Sequence, residues 1–172
     1  MKEHKEKINN MKGKSKDILV ASFYKETQVG RSISSSNKQG KKINPKYFKR
    51  KLLHSIIKLR KLVDNKTIKN LDIRNEIKNL SDKTGASIGQ SQKVINVYFK
   101  FYCLFLNSPL KIIRELDCPL DSTTMEKKQK MKNLIDIEGY KEWQNKFEKE
   151  FGIRLLRDGE YDSNRMKVSF ED

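Results

Sequence analysis

The sequence contains few of the residues that stabilise small secreted domains or bind metals. Among its 172 residues are two cysteines, two histidines and three prolines. Two cysteines supply no disulfide framework, and neither Cys-x-x-Cys nor His-x-x-x-His spacing occurs. We therefore expect no disulfide-stabilised fold, no bound metal and no cofactor, and we interpret Cys103 and Cys118 as structural thiols.

Long hydrophobic runs are also absent. The most apolar stretch, residues 94–106, has 13 residues and includes Lys100, whereas a helix that spans a bilayer needs about 18 or more. Residues 1–16 are rich in lysine and lack the apolar centre of a secretory signal. The sequence therefore predicts a cytoplasmic protein with no membrane partner.

The apolar residues follow helical spacing, and 35% hydrophobic residues in a chain of this length suffice for one core. We predict a mainly α, all-α fold: a single compact domain of five or six helices over residues 44–156. A flexible basic arm and linker, residues 1–43, precedes it, and a loose tail, residues 157–172, follows it. A minor hairpin near Arg157-Asp158-Gly159 is an open alternative within the tail.

The positive charge is concentrated in the first half of the chain. Of the net charge of +16, residues 1–80 hold +15, from 22 basic and 7 acidic residues, and residues 81–172 hold +1, from 16 and 15. A general bias toward lysine would spread this charge evenly. The uneven distribution therefore indicates an interaction surface.

The densest basic segment is residues 38–69, with twelve basic residues and a single acid, Asp64. Such a segment attracts polyanions, and phosphate contacts release condensed counterions. We predict a nucleic-acid partner, DNA or RNA, with little base readout because lysine outnumbers arginine. The candidate contacts are Lys41, Lys42, Lys46, Lys49, Arg50, Lys58, Arg60 and Lys61.

Other partners for this charge stay open. The charge could be merely solubilising, and a protein partner could then bind through the C-terminal half. Anionic lipid headgroups are a weaker alternative, because a basic patch attracts them by the same electrostatics.

Two amphipathic helices are expected in the basic half. The first begins at Asn44-Pro45 and is predicted to bury Phe48, Leu52, Ile56, Leu59 and Val63. The second covers residues 67–80 and is predicted to bury Ile68, Leu71, Ile77 and Leu80. An irregular segment with glycines, residues 81–89, then fits a helix-turn-helix or a helical hairpin.

In the second half, residues 91–106 predict a central helix that is apolar on nearly every side. We expect Tyr98 and Tyr102 to lie at the edge of the core with their hydroxyls in water. A polar stripe of Lys93, Asn96 and Lys100 is also assigned to water, because unpaired buried charge is costly.

The following segments are predicted as a short helix from Ser108-Pro109, a tight turn at residues 117–122 and two further helices. Thr123 and Glu126 have capping-box spacing, which predicts a charged helix to about residue 132. Asp121 or Ser122 is also expected to cap this helix. Residues 137–151 predict an amphipathic helix that ends at Gly152.

Residues 85–93 place a glycine-containing turn before a helix, where backbone amides could hold a phosphate. The lysine and hydroxyl residue that end a P-loop are missing, so we interpret the segment as a plain turn into a helix.

Residues 85–125 carry a resemblance. IGQSQKVINVYFKFYCLF followed by CPLDS resembles a pattern of uncharacterised bacterial proteins, in which a Gln-Lys pair opens a hydrophobic helix and a Cys-Pro-x-Asp turn follows. The layout is also similar to the helix-hairpin-helix DNA glycosylases, although their Gly-x-Gly hairpin is absent. That similarity implies Lys93 as a Schiff-base lysine and Asp121 as a catalytic aspartate. We predict non-enzymatic binding and keep an enzyme acting on DNA through these two residues as the alternative.

Overall fold

The computed structural model describes residues 43–126 and 130–158, and within them the chain is helical with no strand, which confirms the all-α fold. The predicted arm before Ile43 and the tail and hairpin beyond Asp158 lie outside the described residues. The helices are α1 (Pro45–Asp64), α2 (Asn70–Thr84), α3 (Ile88–Phe105), α4 (Leu110–Ile113) and α5 (Ile137–Phe151), with a 3₁₀ turn at Met131–Asn133 between α4 and α5.

Helix α1 begins and packs as predicted. The side chain of Asn44 accepts hydrogen bonds from the amides of Lys46 and Tyr47, at 3.0 and 3.2 Å, and Pro45 occupies the first turn. All of the residues predicted to face inward are buried, namely Phe48, Leu52, Ile56, Leu59 and Val63. One face of α1 therefore lies on the core along the whole helix.

Helix α2 differs from its prediction at both ends. Leu71, predicted to be buried, is 64% exposed, and Ile73 occupies the buried face in its place. The predicted break at residues 81–89 is present but shorter, at residues 85–87, because α2 continues to Thr84 and stops only where Gly85 adopts a φ of +73°. The polar run after Leu80 suggested a loop, but a single left-handed glycine is what ends the helix.

Helix α3 is the central element and contacts α1, α2 and α5. Only residues 85–87 separate it from α2, and Ser87 and Gln90 form a reciprocal capping box at its start. Helix α3 is buried on nearly every side, as its apolar pattern predicted. Tyr98, predicted to reach water, is 1% exposed, while Tyr102 is partly exposed and donates its hydroxyl to Asp64.

The 3₁₀ turn packs directly on the first turn of α3. A Cβ atom added to Gly89 would lie 1.9 Å from the carbonyl oxygen of Met131, so only glycine allows this approach. The amide of Gly89 donates to the carbonyl of Leu134 at 2.9 Å.

The tight turn predicted at residues 117–122 and the helix predicted from Thr123 are wrong, whereas Asp121 is a cap as expected. Residues 116–120 form an irregular buried segment, not a tight turn, and residues 122–126 are turns, not helix. Asp121, not Thr123, caps this region, because its carboxylate accepts the amides of both Thr123 and Thr124 at 2.9 Å. Glu126 has a φ of +57°, which a helix interior does not accommodate.

Helix α5 has the predicted bounds. Asp136 caps it by accepting the amide of Gly139, and Gly152 ends it with a φ of +71°. Tyr140, Gln144 and Phe147 are buried beneath it, and the packing continues to Asp158, which is 6% exposed. None of the helices described is long and apolar enough to cross a membrane.

Both cysteines have free thiols in the core. Burial raises the pKa of the Cys103 thiol to about 11 and that of Cys118 well above its usual value. Since only the thiolate is nucleophilic, roughly one Cys103 in a thousand would be reactive at pH 8 even if reagent reached it.

We therefore expect iodoacetamide at pH 8 to modify both thiols at least about 100-fold more slowly in the native protein than in urea. Mass spectrometry of timed samples measures this difference. Native labelling of either cysteine at the rate of an unfolded thiol would contradict the buried position.

Candidate functional site

The outer surface of α1 carries most of the predicted nucleic-acid contacts. This helix has seven lysine and arginine residues and one acid, Asp64. At 100° per residue, Lys46, Arg50 and Lys61 fall within an arc of about 60°. Lys46, Lys49, Arg50 and Lys61 are all exposed, and we call them the basic face of α1.

Two other residues predicted to contact nucleic acid, Lys58 and Arg60, interact with side chains of the protein itself. Lys58 forms an ion pair with Glu76 of α2, and the hydrogen bond and charge of Glu76 raise the pKa of Lys58. The guanidinium of Arg60 lies 4.6 Å from the centre of the Tyr102 ring. The structure thus separates these two cations from the basic face of α1, while Lys41 and Lys42 lie outside the described residues.

An aromatic ring lies among the cations near the start of α1. The charged groups of Arg50 and Lys51 are each 5.3 Å from the centre of the Tyr47 ring. Cation–π attraction at this distance stabilises the position of both side chains.

A groove between α1 and α2 encloses a cavity of about 270 Å³. Both helices contribute residues at spacing i, i+3, i+4 and i+7, so one face of each helix lines the groove. The lining residues are Lys51, His54, Ser55 and Lys58 from α1, and Glu76, Asn79, Leu80 and Lys83 from α2. This α1–α2 groove was not predicted from the sequence, although the matching spacing in two adjacent helices indicates it.

Glu76 is a buried carboxylate in this groove. It accepts hydrogen bonds from Ser55 Oγ at 3.0 Å, from Lys58 Nζ and from Asn79 Nδ2 at 3.3 Å. Burial alone would raise the pKa of Glu76, but these hydrogen bonds and the charge of Lys58 outweigh it and the pKa is lowered. Glu76 therefore stays ionised and satisfied.

A second polar group lies inside the protein, around Asp117. Its carboxylate accepts hydrogen bonds from Arg74 Nε at 3.0 Å, Asn70 Nδ2 at 2.7 Å and Tyr140 Oη at 2.8 Å. Arg154 Nε lies 2.7 Å from Asp117 Oδ1 as an ion pair without hydrogen-bond geometry. We call these five residues the Asp117 cluster.

Burial and charge oppose each other within the Asp117 cluster. Burial would lower the pKa of Arg74, but the hydrogen bond and charge of Asp117 outweigh it and raise that pKa. Burial and the adjacent carboxylate raise the pKa of Tyr140 well above its usual value. Tyr140 is therefore a protonated donor, and Arg74 is a fixed cation.

Two side-chain amides hold the buried segment that contains Asp117. Gln144 of α5 makes two hydrogen bonds of 2.8 Å to the backbone of Cys118, and Gln92 of α3 makes bonds of 2.7 and 3.0 Å to the backbone of Leu120. These contacts replace the backbone partners that a strand would have, because buried peptide groups must be paired.

The polar stripe of α3 faces the interior, so its assignment to water was wrong. Lys100 is 7% exposed and pairs with Asp158 at 2.7 Å, and Asn96 is 3% exposed and donates to Tyr140 Oη at 2.9 Å. Lys93 Nζ lies 2.8 Å from Asp121 Oδ2. Their partners are far away in sequence, which is why the pattern of one helix could not reveal them.

The structure brings together the two residues that the glycosylase resemblance implied, but as a closed pair. Asp121 binds Lys93 with one oxygen and the amides of Thr123 and Thr124 with the other. Burial would raise the pKa of Asp121, but the charge of Lys93 outweighs it and lowers that pKa. Both carboxylate oxygens of Asp121 therefore have partners within the protein.

The backbone amides at the start of α3 also bind acceptors within the protein. The amide of Gly89 binds the carbonyl of Leu134, and the amide of Gln90 binds Ser87 Oγ. These donors are not directed at a phosphate, which agrees with the plain turn predicted for residues 85–93. In the described ranges, no group of three or more histidine, cysteine or acidic residues could hold a metal ion.

The described residues form an all-helical domain with a basic outer helix, α1, and a buried network of charged and amide side chains. No protein-family model, curated protein or solved structure matches the chain.

Replacement of Asp117 tests the role of the Asp117 cluster. Asp117→Asn keeps the shape but leaves the Arg74 and Arg154 cations without their buried carboxylate, so the free energy of unfolding should fall by about 3–5 kcal/mol. Urea denaturation followed by circular dichroism measures it. Asp82→Asn, on the exposed side of α2, is the matched control and should change it by less than about 0.5 kcal/mol. A loss below about 1 kcal/mol for Asp117→Asn would contradict this role.

Proposed function

We propose that the protein is a non-enzymatic nucleic-acid-binding protein that contacts phosphates through the basic face of α1. The observation that carries the proposal is the exposure of Lys46, Arg50 and Lys61 along one side of a helix whose single acid is Asp64. That carboxylate accepts the Tyr102 hydroxyl. A row of cations with so little opposing charge attracts polyanions.

The packing of α1 supports a rigid contact surface. Its apolar side is buried from Phe48 to Val63, so the opposite side is held in a fixed orientation. The sixteen residues from Lys46 to Lys61 cover about 22 Å, which is long enough to meet several phosphates. Ordered cations bind with less loss of conformational entropy than cations on a flexible segment.

The composition of the basic face of α1 favours phosphate contacts over base readout. Three of its four members are lysines, which bind as point charges, whereas bidentate recognition of guanine needs arginine. The proposal therefore covers DNA and RNA alike and includes no sequence specificity. A reducing cytoplasm, with its nucleic acids, fits the two free thiols.

A protein partner is the second candidate, because apolar side chains are exposed where α3 meets α4. Leu104, Leu106 and Leu110 are 48%, 57% and 57% exposed. They lie in the C-terminal half, which has almost no net charge. Clustered exposed leucines are typical of protein interfaces.

Fluorescence anisotropy tests the proposal with duplex DNA, single-stranded DNA and RNA across a salt series. The logarithm of the binding constant should fall steeply with that of the salt concentration, by about 0.9 per phosphate contact on B-DNA. Removing three such contacts should flatten the slope by about 2–3 and weaken binding at least about tenfold at 0.15 M salt. The variant is Lys46→Gln, Arg50→Gln and Lys61→Gln combined.

The matched control removes three exposed charges elsewhere and combines Lys78→Gln, Lys130→Gln and Lys149→Gln. It has the same net charge as the test variant, so only the location of the charge differs. It should keep most of the slope of the native protein. Equal losses of affinity and salt slope in the two variants, or no binding at moderate salt, would contradict a specific role of α1. The exposed leucines Leu104, Leu106 and Leu110 would then be tested as a protein interface.

A further inference from the structure

The α1–α2 groove concentrates positive charge around a cavity. Three lysines and one acid line it, a net of +2, and His54 lies beside them. The lysines come from two different helices: Lys51 and Lys58 from α1, and Lys83 from α2. The groove thus offers cations from both walls, which an isolated helix surface does not.

The one acid that lines the groove, Glu76, is already bound by neighbouring side chains. Glu76 is 5% exposed, and its oxygens accept hydrogen bonds from Ser55, Lys58 and Asn79. The side chain of Lys58 is 68% exposed, although its Nζ atom binds Glu76. An ammonium group has three N–H donors, so Lys58 keeps donors for a ligand while Glu76 fixes its position.

The other two lysines, Lys51 and Lys83, line the groove from different helices. Lys51 is steadied by the Tyr47 ring at 5.3 Å, and it lies about two helical turns from Lys58, or roughly 10 Å along α1. Lys83 is in the last turn of α2. A ligand between them needs oxygen acceptors on more than one side, and a tetrahedral phosphate group has that geometry.

We infer that the α1–α2 groove binds a phosphate group, either from a nucleic-acid backbone or from a small phosphorylated molecule. Its volume of about 270 Å³ is slightly below the range of about 300–1,000 Å³ for drug-sized ligands, which suits a small group. The first source rests on the proposed function and would make the groove an extension of the basic face of α1. The second source does not depend on it.

Proton NMR of His54 tests this inference, because the chain has only two histidines and His54 lines the groove. His54→Asn assigns the ring signal. The full chain is titrated at constant ionic strength with inorganic phosphate, with adenosine monophosphate, with a single-stranded oligonucleotide and with chloride. We expect at least one phosphate-bearing probe to shift the His54 signal saturably, and chloride to leave it unchanged.

Lysine variants distinguish a site from general attraction. Lys51→Gln and Lys83→Gln should each weaken the binding seen at His54 by about threefold to tenfold. Lys78→Gln removes the same charge from the exposed side of α2 and should leave it within about twofold. Lys58 is left intact, because its removal would unpair the buried Glu76 and could unfold the groove.

The outcomes separate this inference from the proposed function. A shift with the oligonucleotide that the two lysine variants weaken supports both. A shift with phosphate or adenosine monophosphate but not with the oligonucleotide supports the groove as a site for small phosphorylated molecules. Nucleic-acid binding without any shift of His54 overturns the inference and leaves the basic face of α1 in place. A shift that Lys51→Gln and Lys83→Gln do not weaken also overturns it.

Discussion

The carboxylate of Asp117 connects three parts of the chain through one buried side chain. It binds Asn70 and Arg74 of α2, Tyr140 of α5 and Arg154 after α5, and it stands in a segment with no regular secondary structure. A buried carboxylate is tolerable only with such partners, and the cations are tolerable only with the carboxylate. The positions of α2 and α5 around the apolar core are therefore coupled through one side chain.

Several cations of the C-terminal half are paired with carboxylates inside the protein. Lys93, Lys100 and Arg154 each have a carboxylate partner in the C-terminal half. Residues 81–172 are nearly neutral overall, with 16 basic and 15 acidic residues. The basic face of α1 is exposed and lies on a helix with a single acid, Asp64. Its availability to a polyanion is what links the fold to the proposed function.

The spacing of apolar residues predicted which faces of α1 and α5 are buried. It could not predict contacts between residues that are far apart in the sequence. The buried faces of α1 and α5 followed from spacing alone, and Gly152 ended α5 as expected. The capping-box prediction failed because Asp121, bound to Lys93 of α3, already caps that turn. Likewise, Lys100 was assigned to water because its partner lies 58 residues away. The basic face of α1 was predictable, whereas the α1–α2 groove required two helices to be seen together.

Mass spectrometry of lysine acetylation, with and without bound nucleic acid, tests the central claim most directly. The claim is that the phosphates lie on α1 while the buried lysines serve the fold. We predict that nucleic acid protects Lys46, Lys49 and Lys61, leaves the exposed Lys149 unchanged, and that Lys100 reacts slowly in both states because it is 7% exposed. Protection at Lys149 equal to that at Lys61, or no protection along α1 under conditions where binding is saturated, would contradict it.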